Sequence, residues 1–421
     1  MGPYVKRERY LQKLILRRDN GEIKVVTGPR RCGKSFLLKT IYRDYLIEDG
    51  VPEEDIIIVS FDEDDEYNQA ELADKERLKA YLAERIVNKT HQYYVFLDEI
   101  QEVDGFEKIV NGLNSRGNID VYVTGSNSHL LSNDINTIFR GRGDEVRVNP
   151  FSFSEFCSDR PETKYELWKE YYTFGGMPAL RKLKTPQQKS LYLQRLWNKT
   201  YIADIVEKNH IKNTPALDAL VDQLCSVIGS FSNPNNITNV IKSIMHGKLD
   251  DETIASYIGF IENAYLFEGA RRYNIKGKKY FESMKKYYCS DIGLRNARLN
   301  FRQQEITHIM ENVIYNELRS RDYLVDVGMV ETREMMDGKS VYKQYEVDFI
   351  ATDGINKYYI QSAFSIPDKE KENQELKSFR KIDDSFQKIV ILGDDIATYA
   401  NDEGIIFMGL FQFLENEDIL K

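Results

Sequence analysis

Cysteine is scarce in this chain. Cys32, Cys157, Cys225 and Cys289 lie far apart and form no CxxC pair. That spacing offers neither a zinc site nor a disulfide framework, so reduced thiols are expected. Long apolar runs are lacking as well: no stretch approaches the roughly 18 residues that a membrane-spanning helix needs. The opening MGPYVKRERYLQKLILRRD carries positive charge but no apolar core and no small-residue cleavage site. No signal peptide and no membrane partner are expected, and the location expected is cytoplasmic. Nor is there a surplus of positive charge. The formal net charge is −9 over 421 residues. This excludes a chain basic throughout that coats nucleic acid, but not a local basic patch. Internal repeats and long low-complexity linkers are absent too. What remains is 42% hydrophobic and 30% charged residues, the balance of a globular protein long enough for two or three domains.

Up to about residue 150, short apolar strands alternate with amphipathic stretches, the pattern of a parallel α/β sheet. Strands are expected at Ile23–Thr27, Asp55–Phe61, Tyr93–Asp98, Ile119–Thr124 and Glu145–Val148, with helices at Phe36–Ile47 and Lys75–Asn88. From 151 to 220 the pattern is helical. Two helices and a hairpin follow to about 300, and mixed α/β returns after 305.

Gly28–Ser35 reads GPRRCGKS, a full match to GxxxxGK[ST] between an apolar strand and an amphipathic helix. That context is what a phosphate-binding loop requires. Gly28 and Gly33 let the backbone curl so that its amides face phosphate oxygens, and the helix N-terminus adds positive dipole character. Pro29, Arg30, Arg31, Cys32 and Phe36 complete the expected ATP contact. Lys34 can reach the β- and γ-phosphates, and the Ser35 hydroxyl can ligate Mg²⁺. The strand YYVFLD ends in adjacent carboxylates. Asp98 would hold Mg²⁺, and Glu99 would polarise the attacking water. After IDVYVT come Ser126 and Asn127, either a γ-phosphate sensor or a plain turn. Arg140 and Arg142, in FRGRGDE, are either arginine fingers acting across a subunit interface or surface residues.

The runs KVVTGPRRCGKS, VFLDEIQ, VTGSNSHLL, RGR and VNPFSFSEF together resemble AAA+ ATPases of bacteria and archaea that carry a C-terminal nuclease-like region. GGMPAL, at Gly175–Leu180, resembles the lid segment of that family. The resemblance implies an α/β fold in four parts. These are a P-loop AAA+ core over 1–155, a helical lid over 156–220, a winged helix-turn-helix over 221–300, and a restriction-endonuclease-like domain over 301–421. It also implies a ring of six or seven copies.

Within the third part, Ile237, Val240, Ile241, Ile244 and Met245, and then Ile254, Tyr257, Ile258, Ile261 and Tyr265, keep helical spacing. Asp250 or Asp251 would cap the second helix. A hairpin turning at Gly277 then carries Arg271, Arg272, Lys276, Lys278, Lys279, Lys285 and Lys286 against Glu282 alone. Arg271, Arg272, Lys276, Lys278 and Lys279 are the expected contacts to DNA phosphates, without sequence preference. A solvated hairpin or a subunit contact is the alternative.

In the last part, PD-(D/E)xK nucleases supply the template: a helix glutamate, a strand aspartate and an ExK pair around a metal. Glu311 lies on a helix, Asp348 in the strand EVDF beside Glu346, and Gln361 and Ala363 fall where the glutamate and lysine would stand. Alanine can do no chemistry, so the fold is expected without efficient cleavage. The function expected is an ATP- and Mg²⁺-dependent machine acting on DNA, including branched DNA such as Holliday junctions. An ATP-gated switch binding DNA or protein, and an ATP-coupled nuclease, are the alternatives.

Overall fold

The structure, a computed structural model, describes residues 4–61, 69–125, 137–232, 234–245, 249–336 and 339–420. The chain divides into two units, Met1–Pro150 and Phe151–Lys421.

The first unit is built on a parallel sheet of five strands: β1 (Ile23–Thr27), β2 (Ile56–Ser60), β3 (Tyr93–Asp98), β4 (Ile119–Thr124) and β5 (Gly143–Arg147), in the order β2-β3-β4-β1-β5. Its runs of valine, isoleucine and aromatics are buried on both faces, as a parallel sheet covered by helices demands. Val26, Tyr94, Phe96 and Tyr122 pack with Tyr10, Leu14, Leu38 and Ile41. Val25, Val59, Val95, Leu97, Val121 and Val123 pack on the other side with Leu78, Leu82, Ile109 and Val110. β4 lies between β1 and β3, with Val26 opposite Thr124 and Leu97 opposite Val123. This brings the ends of β1, β3 and β4 together. A buried charged pair crosses the apolar sheet between β1 and β4: Lys24 and Asp120 form a salt bridge, and Asp120 also accepts from the Tyr122 hydroxyl at 2.6 Å.

The second unit opens with helices that include Lys164–Phe174, Pro186–Leu196 and Thr214–Ser226. β6 (Phe231–Ser232), the helices Pro234–Ile244 and Asp251–Asn263, β7 (Phe267–Asn274) and β8 (Lys279–Cys289) follow. Asp250 caps its helix by accepting from the Thr253 amide at 2.6 Å. The remaining strands are β9 (Leu324–Met336), β10 (Lys339–Thr352), β11 (Lys357–Ala363), β12 (Gln387–Leu392), β13 (Tyr399–Ala400) and β14 (Ile406–Gly409).

The sheet does not break near residue 300. β6, β7 and β8 belong to one nine-stranded sheet with the C-terminal strands, in the order β13-β14-β12-β11-β10-β9-β7-β8-β6. β7 joins β9 in parallel, with Arg272 opposite Val327, Tyr273 opposite Gly328 and Asn274 opposite Met329. The hairpin at 267–289 is thus continuous with the strands expected to form a separate domain.

The GGMPAL segment is also explained inside this unit. The Asp291 carboxylate accepts from the Gly176 amide at 2.7 Å and the Leu294 amide at 2.9 Å. A Cβ on Gly175 would lie 2.1 Å from the Asp291 carboxylate, and one on Gly176 would lie 2.2 Å from the Phe151 carbonyl. Close approach of backbone is what these glycines provide. Burial pushes the Asp291 carboxyl up to about 6 although amides donate to it.

Candidate functional site

β1 delivers the chain into the loop 28–35 at the edge of the sheet where β3 and β4 also end. Gly28 has φ 131°, and a Cβ there would lie 2.0 Å from the Val148 carbonyl, so only glycine fits. Gly33 has φ 99°, and the exposed Arg31 is also left-handed at φ 62°. The helix that follows runs from 34 to 48, with a wide π-type section at Leu37–Tyr42. Lys34 is buried and donates to the Gly28 and Pro29 carbonyls, each at 3.0 Å. Cys32 is buried, with its thiol on the Val148 carbonyl at 3.2 Å. Phe36 is exposed and meets Tyr4 edge to face at 5.3 Å.

Asp98 is the centre of a dense polar group. One carboxylate oxygen accepts from the Ser35 hydroxyl at 2.9 Å and from the Thr124 hydroxyl. The other accepts from Lys39 Nζ at 2.6 Å and from the Ser60 hydroxyl at 3.3 Å. Glu99 follows in a left-handed backbone conformation, φ 54°, which costs a non-glycine residue about 1–2 kcal/mol. Its amide donates to Thr124 Oγ1 at 3.0 Å, and its carboxylate accepts from the Gln101 amide. That twist turns Glu99 out of the strand that carries Asp98.

Ser35 and Asp98 are thus hydrogen-bonded to each other, while the Lys34 ammonium faces loop carbonyls and the Glu99 carboxylate faces Gln101. Ser126 and Asn127 lie outside the described residues. Thr124 is the polar side chain on the strand beside Asp98, and sequence reasoning looked past it toward the turn. Lys39, Ser60 and Arg7 were missed as well. Lys39 had a signal: a lysine inside the apolar run FLLKTIY. Arg7 braces the loop from behind, donating to the Cys32 carbonyl at 3.0 Å and the Asn149 carbonyl at 2.7 Å. Arg140 and Arg142 are exposed, and the Arg142 carbonyl accepts from the Ile23 amide at 2.7 Å. They sit at the start of β1, away from the loop by its length of roughly 16 Å.

In the second unit, four of the expected DNA contacts, Arg271, Lys276, Lys278 and Lys279, are exposed. Arg272 is a correction. β7 alternates, and Arg272 falls on its buried face with Ala270 and Asn274. Burial lowers the pKa of its guanidinium, against the charges of Glu346 and Glu331.

Lys286 is likewise buried rather than part of a basic surface. Its ammonium lies 2.9 Å from Glu311 Oε1 and 3.9 Å from Asp348 Oδ1, and also pairs with Glu346. The Tyr288 hydroxyl donates to the same Glu311 oxygen at 2.7 Å. Asp348 accepts from the Ser362 amide at 2.8 Å. Burial, then the neighbouring charge of Glu311, pushes the Asp348 carboxyl well up. Burial also raises Glu346. Gln361 Oε1 is a buried atom without a hydrogen-bond partner. Ala363 packs in the apolar cluster with Tyr359 and Val390.

Among the described residues, no helix is long and apolar enough to cross a membrane. Residues 20–157 match the family model of the AAA domain, and residues 165–305 match a domain of unknown function (DUF8612). An uncharacterized protein of Haemophilus influenzae is 34% identical over 394 residues, spanning 92% of this chain and 93% of that one. Protein MJ1544 of Methanocaldococcus jannaschii, also uncharacterized, is 31% identical over 395 residues, spanning 91% and 83%. Among solved structures, AMPPCP-bound DnaA of Aquifex aeolicus aligns at TM-score 0.31 and 16% identity, over 62% of this chain and 94% of that one. Orc1 of Aeropyrum pernix, in complex with DNA, aligns at TM-score 0.28 and 12% identity, over 70% and 92%. Likeness that weak adds nothing to the assignment. The chain belongs to the family of the Haemophilus and Methanocaldococcus proteins, and its first unit carries an AAA domain with a P-loop.

Proposed function

We propose that this ATPase is a DNA-acting machine that works as a homo-oligomeric ring and contacts DNA without sequence preference. The observation that carries the ATPase half is the Ser35–Asp98 hydrogen bond at the mouth of a complete phosphate loop. Both groups are hard oxygen donors of the kind Mg²⁺ takes, so Ser35 and Asp98 would hold the ion. Bound with ATP, the ion would offset charge on the β- and γ-phosphates. The residues do the rest. The Lys34 ammonium exchanges the Gly28 and Pro29 carbonyls for phosphate oxygens. The Glu99 carboxylate orients and polarises the attacking water, while Thr124, on its amide, fixes the root of that side chain. Tyr4 and Phe36 offer an exposed aromatic surface for the base. Arg140 and Arg142, too far from their own loop, would act on the nucleotide of a neighbouring subunit.

The DNA half is supported by the exposed cations Arg271, Lys276, Lys278 and Lys279 around one hairpin turn, in a chain of net charge −9. The test is an ATPase assay across single-stranded, duplex and four-way-junction DNA, with mass measured in parallel. DNA should raise the rate, and alanine at those four positions should weaken binding and flatten its salt dependence. A rate indifferent to every DNA would leave the ATPase and remove the machine. One observation favours a second reading, a switch gated by a polypeptide. The helix Asp251–Asn263 holds Asp251, Glu252 and Glu262 and no lysine or arginine, a poor surface for a DNA groove. Stimulation by a polypeptide and not by DNA would select it.

A further inference from the structure

The nuclease-like resemblance implies a divalent metal among Glu311, Asp348 and the residue at 361. The side chains present do not fit one. Among the described residues, no group of histidine, cysteine, aspartate or glutamate side chains is arranged to hold a metal ion. We propose that the Lys286 ammonium is the resident cation of this cluster. It stands among Glu311, Glu346 and Asp348 in the place a divalent ion would need, and makes the C-terminal sheet a metal-independent platform.

Lys286 is rooted in β8. Its backbone lies inside the sheet, opposite Ala270 of β7 and Phe231 of β6. Its side chain is only 4% exposed. Tyr288, two residues on and on the same face, donates to the Glu311 oxygen that Lys286 contacts. Tyr288 is itself stacked on Tyr315 with ring centres 4.1 Å apart. The Glu311 oxygen that faces the ammonium is thus itself fixed in place. A swing into solvent would leave Glu311, Glu346 and Asp348 together without their cation.

Charge and size then exclude a second occupant. A divalent ion needs oxygen ligands at about 2.0–2.6 Å. Those nearest oxygens already face Nζ, and an ion drawn to them would lie against a fixed positive charge in a poorly screened interior. The carboxylate that the template puts at 361 is the neutral Gln361, and the template's lysine position is Ala363, packed in the apolar core. No other lysine on β11 lies nearer than Lys357, at its start. One cation therefore replaces both the metal and the lysine of the template. It arrives from a hairpin that sequence reading assigns to another domain.

The test uses the full-length, nucleotide-free protein with Mn²⁺ alone as probe, read by electron paramagnetic resonance. Wild type and Asp348→Asn should bind the same number of Mn²⁺ ions with the same affinity, since any ion at the phosphate loop is common to both. A Mn²⁺ site present in wild type and lost in Asp348→Asn overturns the proposal. Thermal unfolding gives a second readout. Lys286→Met should lower the melting temperature by about 5 °C or more, because the carboxylates lose their counter-charge. Lys286→Arg should lose less. An unchanged melting temperature in Lys286→Met also overturns the proposal. Should that variant fail to accumulate as folded protein, the Mn²⁺ comparison decides alone.

Discussion

Glu99 and Asp291 are both acids in demanding surroundings, and their surroundings predict opposite behaviour. Glu99 leaves its strand by a left-handed turn, and its carboxylate accepts from the Gln101 amide. Glu99→Gln preserves shape and removes the charge that polarises water, so ATP should stay bound while turnover falls by roughly 10²-fold or more. Retained affinity for a fluorescent ATP analogue together with a lost phosphate-release rate is the expected pair. Normal hydrolysis would unseat Glu99. Asp291 instead is a structural acid. Its folded pKa, about 6, is raised above the unfolded aspartate value. The stability it contributes is full below the unfolded value near 4 and is lost as pH rises through about 6, a change of roughly 2–3 kcal/mol. Asp291→Asn removes that titration, but it turns an N–H donor toward the amide of Gly176 or Leu294. The variant should be less stable at every pH, and its deficit should shrink as pH rises from 4 to 7. Parallel melting curves across that range would reveal a constant gap if Asp291 does not titrate this way. GGMPAL was legible as a motif, but its partner was not, because position 291 is distant in sequence and one polar residue before a helix reads as an ordinary cap.

The elements of the first unit were largely legible. Apolar runs bounded by turn residues fixed β1, β3 and β4 at the expected residues, and missed the ends of β2 and β5 by one or two positions. Such runs are distinct because a strand buried on both faces admits few polar residues. The exceptions could not be resolved from pattern. Lys24 in IKVVT and Asp120 in IDVYVT are lone charges in apolar runs, and only the pairing of β1 with β4 puts them beside each other. A buried pair of this kind costs more to break than it contributes. Lys24→Met should therefore destabilise the first unit by about 3–5 kcal/mol, while adding Asp120→Asn should recover much of that loss. Denaturant unfolding of both variants measures it, and equal losses in single and double variants would refute the coupling. In the second unit, helices and hairpin were readable from spacing. The parallel pairing of β7 with β9 was not, since nothing local encodes which distant strand covers an edge.

At the scale of the molecule, the division that matters follows residue 150 and not residue 300. A fragment of residues 151–421 keeps the nine-stranded sheet whole. One of residues 151–300 strips β9 from the edge of β7 and removes Glu311, Glu346 and Asp348 from around Lys286. The longer fragment should be monodisperse with a cooperative melt, and the shorter one should aggregate. A soluble, cooperatively melting 151–300 fragment would mean that the hairpin folds without its neighbours. Here the sequence misled for a physical reason. Basic residues on a hairpin look like a surface, and only assembly of the full sheet reveals which of them point inward.

The splice between hairpin and sheet also orders events during synthesis. The first unit has all its strands once residue 150 leaves the ribosome, and it can fold while the rest is being made. The hairpin has no such freedom. Lys286 emerges well before its last carboxylate, at 348, and must wait in a half-built nascent chain with β7 uncovered. A pause in translation anywhere between those positions would lengthen the time in which that strand edge can meet the wrong neighbour.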